Sequence, residues 1–332
     1  MSIISSINLI RYLIVWRVNR PLVRLPRYLS LELSRVLGTL IAERLPTKEA
    51  RPWCKAMAKW GNYDEISTKN AQVPDITWPI ETVLFVYHGK QFYGQGELIS
   101  WELKLIGNSA DHGYLIEVIL PAMEDASKTS DTRWNRKNSL WGRFDIQAIY
   151  AARGAQWEPI VQEGKLDLRY RASPTQWSDG LTFGVSLKQT MDHLVWVTPF
   201  DLHTTQNTPS TMTINQSVPY LPDLLEALAE RMSVFMPGKS HAAIWDVLSP
   251  YDQTVLRNAI EETTQIPILK HNIEPSPNGW PGRWMGSQKF FKIPDLLIPY
   301  LELASVLHIG RQTHFGCGTF LLESIDLRRH SR

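Results

Sequence analysis

The amino-acid order predicts an α+β protein built from two ferredoxin-like domains in tandem, each running β-α-β-β-α-β. Three observations carry that reading. At 332 residues the chain favours two domains, each large enough for its own core. Stretches with period-two alternation of apolar residues are separated by stretches with helical spacing. That alternation of types runs once through residues 1–152 and again through residues 181–332, with a polar connection at 153–180. No repeat of the residues themselves accompanies it, so the duplication is one of element order.

Arg11 to Val18 reads as the first strand, with Tyr12, Ile14, Trp16 and Val18 on one face. Asn19 to Arg27 is a Pro/Arg loop. Ser30 is placed to cap a helix in which Leu33, Val36, Leu37, Leu40 and Ile41 recur at helical spacing, and Pro46 lies just past its end. Residues 46–80, with Pro52, Pro74 and Pro79, read as irregular. Glu81 to His88 and Leu98 to Ile106 follow as strands around a glycine-rich turn at Gly89, Gly94 and Gly96. Tyr114 to Ala126 is helical, and Pro121 should kink or divide it. Arg143 to Tyr150 alternates again and closes the first domain.

In the second domain the expected strands are Leu181 to Gln189, Ile266 to His271, Arg283 to Ile293 and Phe320 to Leu327. Between them lie helices at Leu221 to Met236, with Pro222 acceptable in its first turn, and Ile244 to Thr263. A further helix, Leu296 to Leu307, has Asp295 as its expected cap.

The formal net charge of +2 demands no polyanionic partner, but its distribution is uneven. The first 60 residues hold eleven Lys and Arg against three acids, so an anionic partner at one surface competes with an ordinary solvated face. Thirteen tryptophans argue against disorder. Two cysteines, Cys54 and Cys317, cannot make a disulfide framework or a cysteine-based zinc site. No metal-ligand cluster or cofactor motif stands out. Ile7 to Trp16 is broken by Arg11, too short to span a bilayer, and without the features of a signal peptide. A cytoplasmic protein without a membrane segment is the expectation.

His308 to Gly318 concentrates three glycines, one arginine and two histidines between the last helix and the last strand. Glycine permits close backbone approach, and exposed N–H groups beside an arginine suit a phosphate-bearing partner. A helix C-terminus and a tight turn need glycine as well. Two ferredoxin-like domains side by side leave a groove that such a loop and the Pro/Arg loop could line, and extended RNA fits it. The candidate RNA contacts are Gly310, Arg311, Gly316 and Gly318 in the loop. Arg24 and Arg27 join them, kept on a loop by Pro21 and Pro26, and so do Arg283 and Lys289 of a basic hairpin that also contains Lys292. For the hairpin, an ordinary edge with lysines against aggregation competes.

Two stretches resemble a known family. One is Tyr93-Gly94-Gln95-Gly96-Glu97 through Leu103 to Gly107, with Ala110 to Leu120 and Trp141-Gly142-Arg143-Phe144. The other is Leu307-His308-Ile309-Gly310-Arg311 through Phe315-Gly316-Cys317-Gly318. With the element order, they are similar to the CRISPR-associated repeat-RNA processing endoribonucleases of the RAMP superfamily (the Cas-six type). The resemblance implies tandem RAMP/RRM-like domains and metal-independent cleavage of CRISPR repeat RNA. In that chemistry a ribose 2′-hydroxyl attacks the adjacent phosphate, leaving a 2′,3′-cyclic phosphate and a 5′-hydroxyl. It also implies retention of the crRNA product and other Cas proteins of an effector complex as partners.

Such chemistry needs a base at the 2′-oxygen, a cation at the phosphorane oxygens and a proton donor to the leaving oxygen. Many members carry a histidine near the first helix; residues 20–44 contain none. Tyr28, His308 and His314 are the candidates in its place, with His88 as an outside one. Each has a structural rival: Tyr28 packing at a helix entrance, His308 capping the preceding helix, His314 stabilising its turn. A non-catalytic RNA-binding RAMP subunit is the second reading. A scaffold whose glycine loop binds a small anion or a protein is the third.

Overall fold

A computed structural model describes residues 4, 6–60, 76–87, 89–184, 190–202, 218–236 and 249–324. The chain divides into a unit of Ile4–Gly180 and a second made chiefly of Leu181–Arg332.

In the first unit, β1 (Leu9–Val18) and β2 (Val23–Arg24) precede α1 (Leu29–Arg44) and α2 (Thr47–Ala58). Next come β3 (Thr82–Val86), β4 (Phe92–Tyr93) and β5 (Leu98–Ile106), then a π-helical turn, Tyr114–Ile119, running into α3 (Leu120–Lys128). The strands β6 (Phe144–Arg153), β7 (Gln156–Gln162) and β8 (Lys165–Leu166) follow. The main sheet is antiparallel in the order β3-β5-β1-β6-β7-β8. Its first four members are the second, third, first and fourth strands of a ferredoxin-like unit.

The alternation of β1 dictates this packing. Tyr12, Ile14, Trp16 and Val18 are buried, and Tyr12 and Ile14 lie opposite Leu103 and Trp101 of β5. Trp16 stacks on Phe144 at 4.1 Å and meets Trp101 edge-on at 5.3 Å. Burying one such ring removes ~200 Å² from water, about 5 kcal/mol before entropy is counted. The stripe of α1, with Leu33, Val36, Leu37 and Ile41, belongs to the same core.

Several boundaries differ from expectation for identifiable reasons. Tyr28, not Ser30, is the N-cap of α1, and Ser30 is buried in the first turn. The stretch read as irregular holds α2 despite Pro52, because Trp53 is buried and packs 5.4 Å from Trp78. Gly38 makes room for that layer: a Cβ there would lie 2.6 Å from Met57 Sδ and 2.8 Å from Trp78 Nε1. Pro121 does divide its helix, with the wide π turn before it absorbing the missing N–H and the ring. The segment 153–180 folds onto the first sheet as β7 and β8, closed by a two-residue turn in which Glu163 and Gly164 both have positive φ.

In the second unit, β9 (His193–Trp196) leads to α4 (Leu221–Phe235) and α5 (Pro250–Thr263). After them come β10 (Ile268–His271), β11 (Glu274–Pro275), β12 (Trp284–Met285), β13 (Ser287–Phe290), α6 (Ile298–Leu307) and β14 (Phe320–Glu323). The antiparallel order β10-β13-β9-β14 is the ferredoxin-like arrangement again.

Among the described residues the first strand here is His193–Trp196, and residues 181–184 of the expected strand Leu181 to Gln189 carry none. Gly184 has φ 70°, which ends an extended run, and a Cβ on it would meet Pro299 Cγ at 2.3 Å. Residues 185–189, 244–248, 325–327 and His88 lie outside the described residues. Asp295 is not the cap of α6, which starts after Leu297. The expected strand over Arg283 to Ile293 is split by Gly286, at φ 134°. Trp284 therefore pairs with Pro275 in a small ribbon, while Lys289 sits on β13 between β9 and β10. No described helix is long and apolar enough to cross a membrane.

Candidate nucleic-acid interface

The loop after α6 is tied down by its own backbone. His308 ends the helix at φ 58°. Ile309 N–H donates to Gly318 O at 3.0 Å, Arg311 N–H to Asp201 O at 2.8 Å, and Gly318 N–H to Pro199 O at 2.9 Å. A Cβ on Gly318 would fall 1.9 Å from Ile309 O, and one on Gly310 would fall 2.6 Å from Asp201 O. These glycines are needed because the loop crosses itself and the strand-end segment at 199–201 in near contact.

This changes how the loop can meet a phosphate. The N–H groups of Ile309, Arg311, Phe315, Gly316 and Gly318 all donate within the fold. They do not form an outward cradle. Gly310, Gly316 and Gly318 shape the loop, and its cationic offer is the Arg311 side chain.

Arg311 has company. Asp201 Oδ2 lies 4.0 Å from Arg311 Nη1 and 3.4 Å from Arg283 Nε. Gln312, at φ 55°, accepts from Gly282 N–H at 2.6 Å, so the segment carrying Arg283 is stitched to the glycine loop. The structure thus brings together Arg283 and Arg311 around a carboxylate that no motif in the sequence announced. Lys289 is elsewhere on the sheet, 3.4 Å from Asp192 Oδ2.

The three candidate proton-transfer groups are buried. His308 is 1% exposed, and its Nδ1 stands 3.1 Å from both Gly316 O and Cys317 O. Carbonyls only accept, so Nδ1 carries the proton and the ring holds the loop's return to the helix end. His314 is 3% exposed, edge-on to Phe315 at 5.1 Å, and Tyr28 is 6% exposed at the start of α1. In the first unit, Arg24 and Arg27 are exposed, and Arg24 lies 5.6 Å from the centre of the Phe92 ring. Among the described residues no three His, Cys, Asp or Glu side chains gather as a metal site.

No family model and no curated protein matches this chain. Solved structures do. A chain of a partial Cas6-RT-Cas1–Cas2 complex matches 97% of this one and 47% of its own length, at 12% identity and a TM-score of 0.51. A chain of a Cas6-RT-Cas1–Cas2 complex gives the same identity and TM-score over 29% of its own length. This chain therefore spans about half or less of those relatives. A Thermus thermophilus Cas6 is matched over 96% of this chain and 99% of its own, at 10% identity and a TM-score of 0.42. The strand orders of both sheets and the match over nearly the whole chain agree: the fold is Cas6-like, two ferredoxin-like units in tandem.

Proposed function

We propose that this chain binds CRISPR repeat RNA, cuts the precursor transcript into mature guide RNAs and keeps hold of the product. The observation that carries the binding half is the pair Arg283 and Arg311, each about 40% exposed and turned to one carboxylate at the base of the glycine loop. Two guanidiniums held by a fixed loop offer phosphates charged, bidentate donors. The Cas6-like fold supports the CRISPR setting, and by the same likeness assembly with other Cas proteins belongs to the proposal.

In the cleavage step the 2′-oxygen bonds to phosphorus as the bond to the 5′-oxygen breaks, and the hydroxyl proton is passed on to the leaving oxygen. Arg283 and Arg311 would offset charge on the phosphorane, and in-line positioning of the 2′-hydroxyl supplies much of the remaining acceleration. No metal takes part in the proposed step. Incubation of the full chain with repeat RNA in EDTA tests it. The expected result is a single cut leaving a 2′,3′-cyclic phosphate; an uncut transcript would sink the enzymatic half.

The burial of Tyr28, His308 and His314 favours a second reading, a non-catalytic RNA-binding subunit of an effector complex. Salt-sensitive binding of repeat RNA without any cut product selects it.

A further inference from the structure

Arg20 and Leu22, on the turn after β1, face Asn135, Asn138, Gly142 and Arg143, on the loop before β6, across a cleft of about 460 Å³ in the first unit. Its walls are fixed by backbone bonds. Arg24 N–H donates to Asn138 O at 2.7 Å, and Asn19 N–H to Arg143 O at 3.0 Å. Gly142, at φ 73°, passes so close to the end of α3 that a Cβ would lie 2.4 Å from Thr129 O. Next to it Trp141 is fully buried and donates from Nε1 to Glu32 Oε1 at 2.9 Å. The cleft is therefore preformed, as small-ligand sites usually are.

Its chemistry is one-sided. No carboxylate lines it. Arg17, Arg44, Arg133 and Arg153 of the same unit each pair with an acid, yet neither Arg20 nor Arg143 has an ion-pair partner among the described residues. The carboxamides of Asn135 and Asn138 likewise have no hydrogen-bond partner among them. Between those asparagines, Arg136 and Lys137 are exposed and add positive potential. Unpaired guanidiniums on fixed walls suit a phosphodiester, and carboxamides suit the donor and acceptor edge of an unstacked base.

We infer that this cleft takes one nucleotide of single-stranded RNA, with Arg20 and Arg143 on the flanking phosphates and Asn135 and Asn138 on the base edge. This rests on the RNA-binding reading above and adds a specificity-determining subsite to it, in the unit that does not contain the glycine loop.

The test uses the full chain and a set of repeat RNAs carrying single-base changes, with affinity measured over a range of salt. Arg20→Ala and Arg143→Ala should each lower affinity several-fold and flatten the salt slope by about 0.7. Arg20→Lys should keep the slope. Asn135→Ala with Asn138→Gly should erase discrimination at one RNA position while leaving the slope unchanged. Glycine is chosen at 138 because Asn138 has φ 61°. A thermal melt confirms that each variant is folded. Unchanged affinity and slope in both arginine variants, with Arg311→Ala still weakening binding, would overturn the cleft and spare the RNA reading. A wild type that binds no repeat RNA overturns both. Displacement of RNA by inorganic phosphate alone at millimolar levels, with no base preference at any position, would reduce the cleft to a simple anion site and also overturn it.

Discussion

Arg283 and Arg311 stand far apart in the sequence and converge on one carboxylate, Asp201 Oδ2 lying 3.4 Å from the first and 4.0 Å from the second. Both arginines are about 40% exposed, so these ion pairs contribute only ~0–1 kcal/mol to stability. Their effect is on direction. Asp201 aims two cations at a common point while leaving both open to a stronger anion.

Removing either cation should therefore act on RNA more than on folding. Arg283→Ala and Arg311→Ala are each expected to flatten the salt dependence of repeat-RNA affinity by about 0.7 in log–log slope, with melting temperature nearly unchanged. Titrations at several salt concentrations measure it. An unchanged slope for Arg311→Ala removes that residue from the phosphate contacts.

Gly318 is expected to be intolerant. Alanine there combines φ 82° with a contact of 1.9 Å to Ile309 O, so the loop must open. A loss of at least ~2 kcal/mol and weakened RNA binding should follow. Gly164→Ala is the control, since φ 75° there comes with nothing within 4 Å and only local strain of about 1 kcal/mol applies. Denaturant unfolding of the two variants should differ clearly.

His308 offers a way to separate structure from catalysis. Replacing it by alanine removes the Nδ1 donor that faces the carbonyls of Gly316 and Cys317, at a cost of about 1–3 kcal/mol. The expected outcome is a lower melting temperature with cleavage per folded molecule retained. A variant as stable as wild type that no longer cuts would return His308 to the catalytic candidates.

The first unit should lose stability in mild acid. His112 is buried with Nδ1 2.9 Å from the Tyr12 hydroxyl, and its pKa is held below the usual 6.5 by burial and by the nearby Arg171. The unfolded chain therefore takes up this proton first. The contribution is intact above pH ~6.5 and fades as pH falls below it toward the lowered folded value. Unfolding at pH 7.5 and 5.5 should show a larger drop for wild type than for His112→Gln. Equal drops would assign the acid sensitivity to other groups.

Much of the fold was legible from local rules. The alternation in β1, the stripe of α1, the proline break at Pro121 and the helix at 221–235 all follow from periodicity and from what proline does to a backbone. By contrast β5, whose Glu102 and Lys104 the alternation puts outward, is buried on both faces with those two charges included. The helix at Thr47–Ala58 was hidden because Pro52 argues against it locally, while burial of Trp53 against Trp78 outweighs that cost.

By itself, the sequence determined two ferredoxin-like units, a glycine-dependent loop after the last helix and a basic amino-terminal segment, since each depends on spacing along the chain. Only the tertiary structure decided where the loop's backbone bonds go. The amides of Ile309, Arg311 and Gly318 turn inward because 199–201 and 309–318 pass in backbone contact, and hydrogen bonds form with whatever is near in space. The same nearness, not any spacing, joins Arg311 to Arg283 through Asp201 and buries His308 and His314.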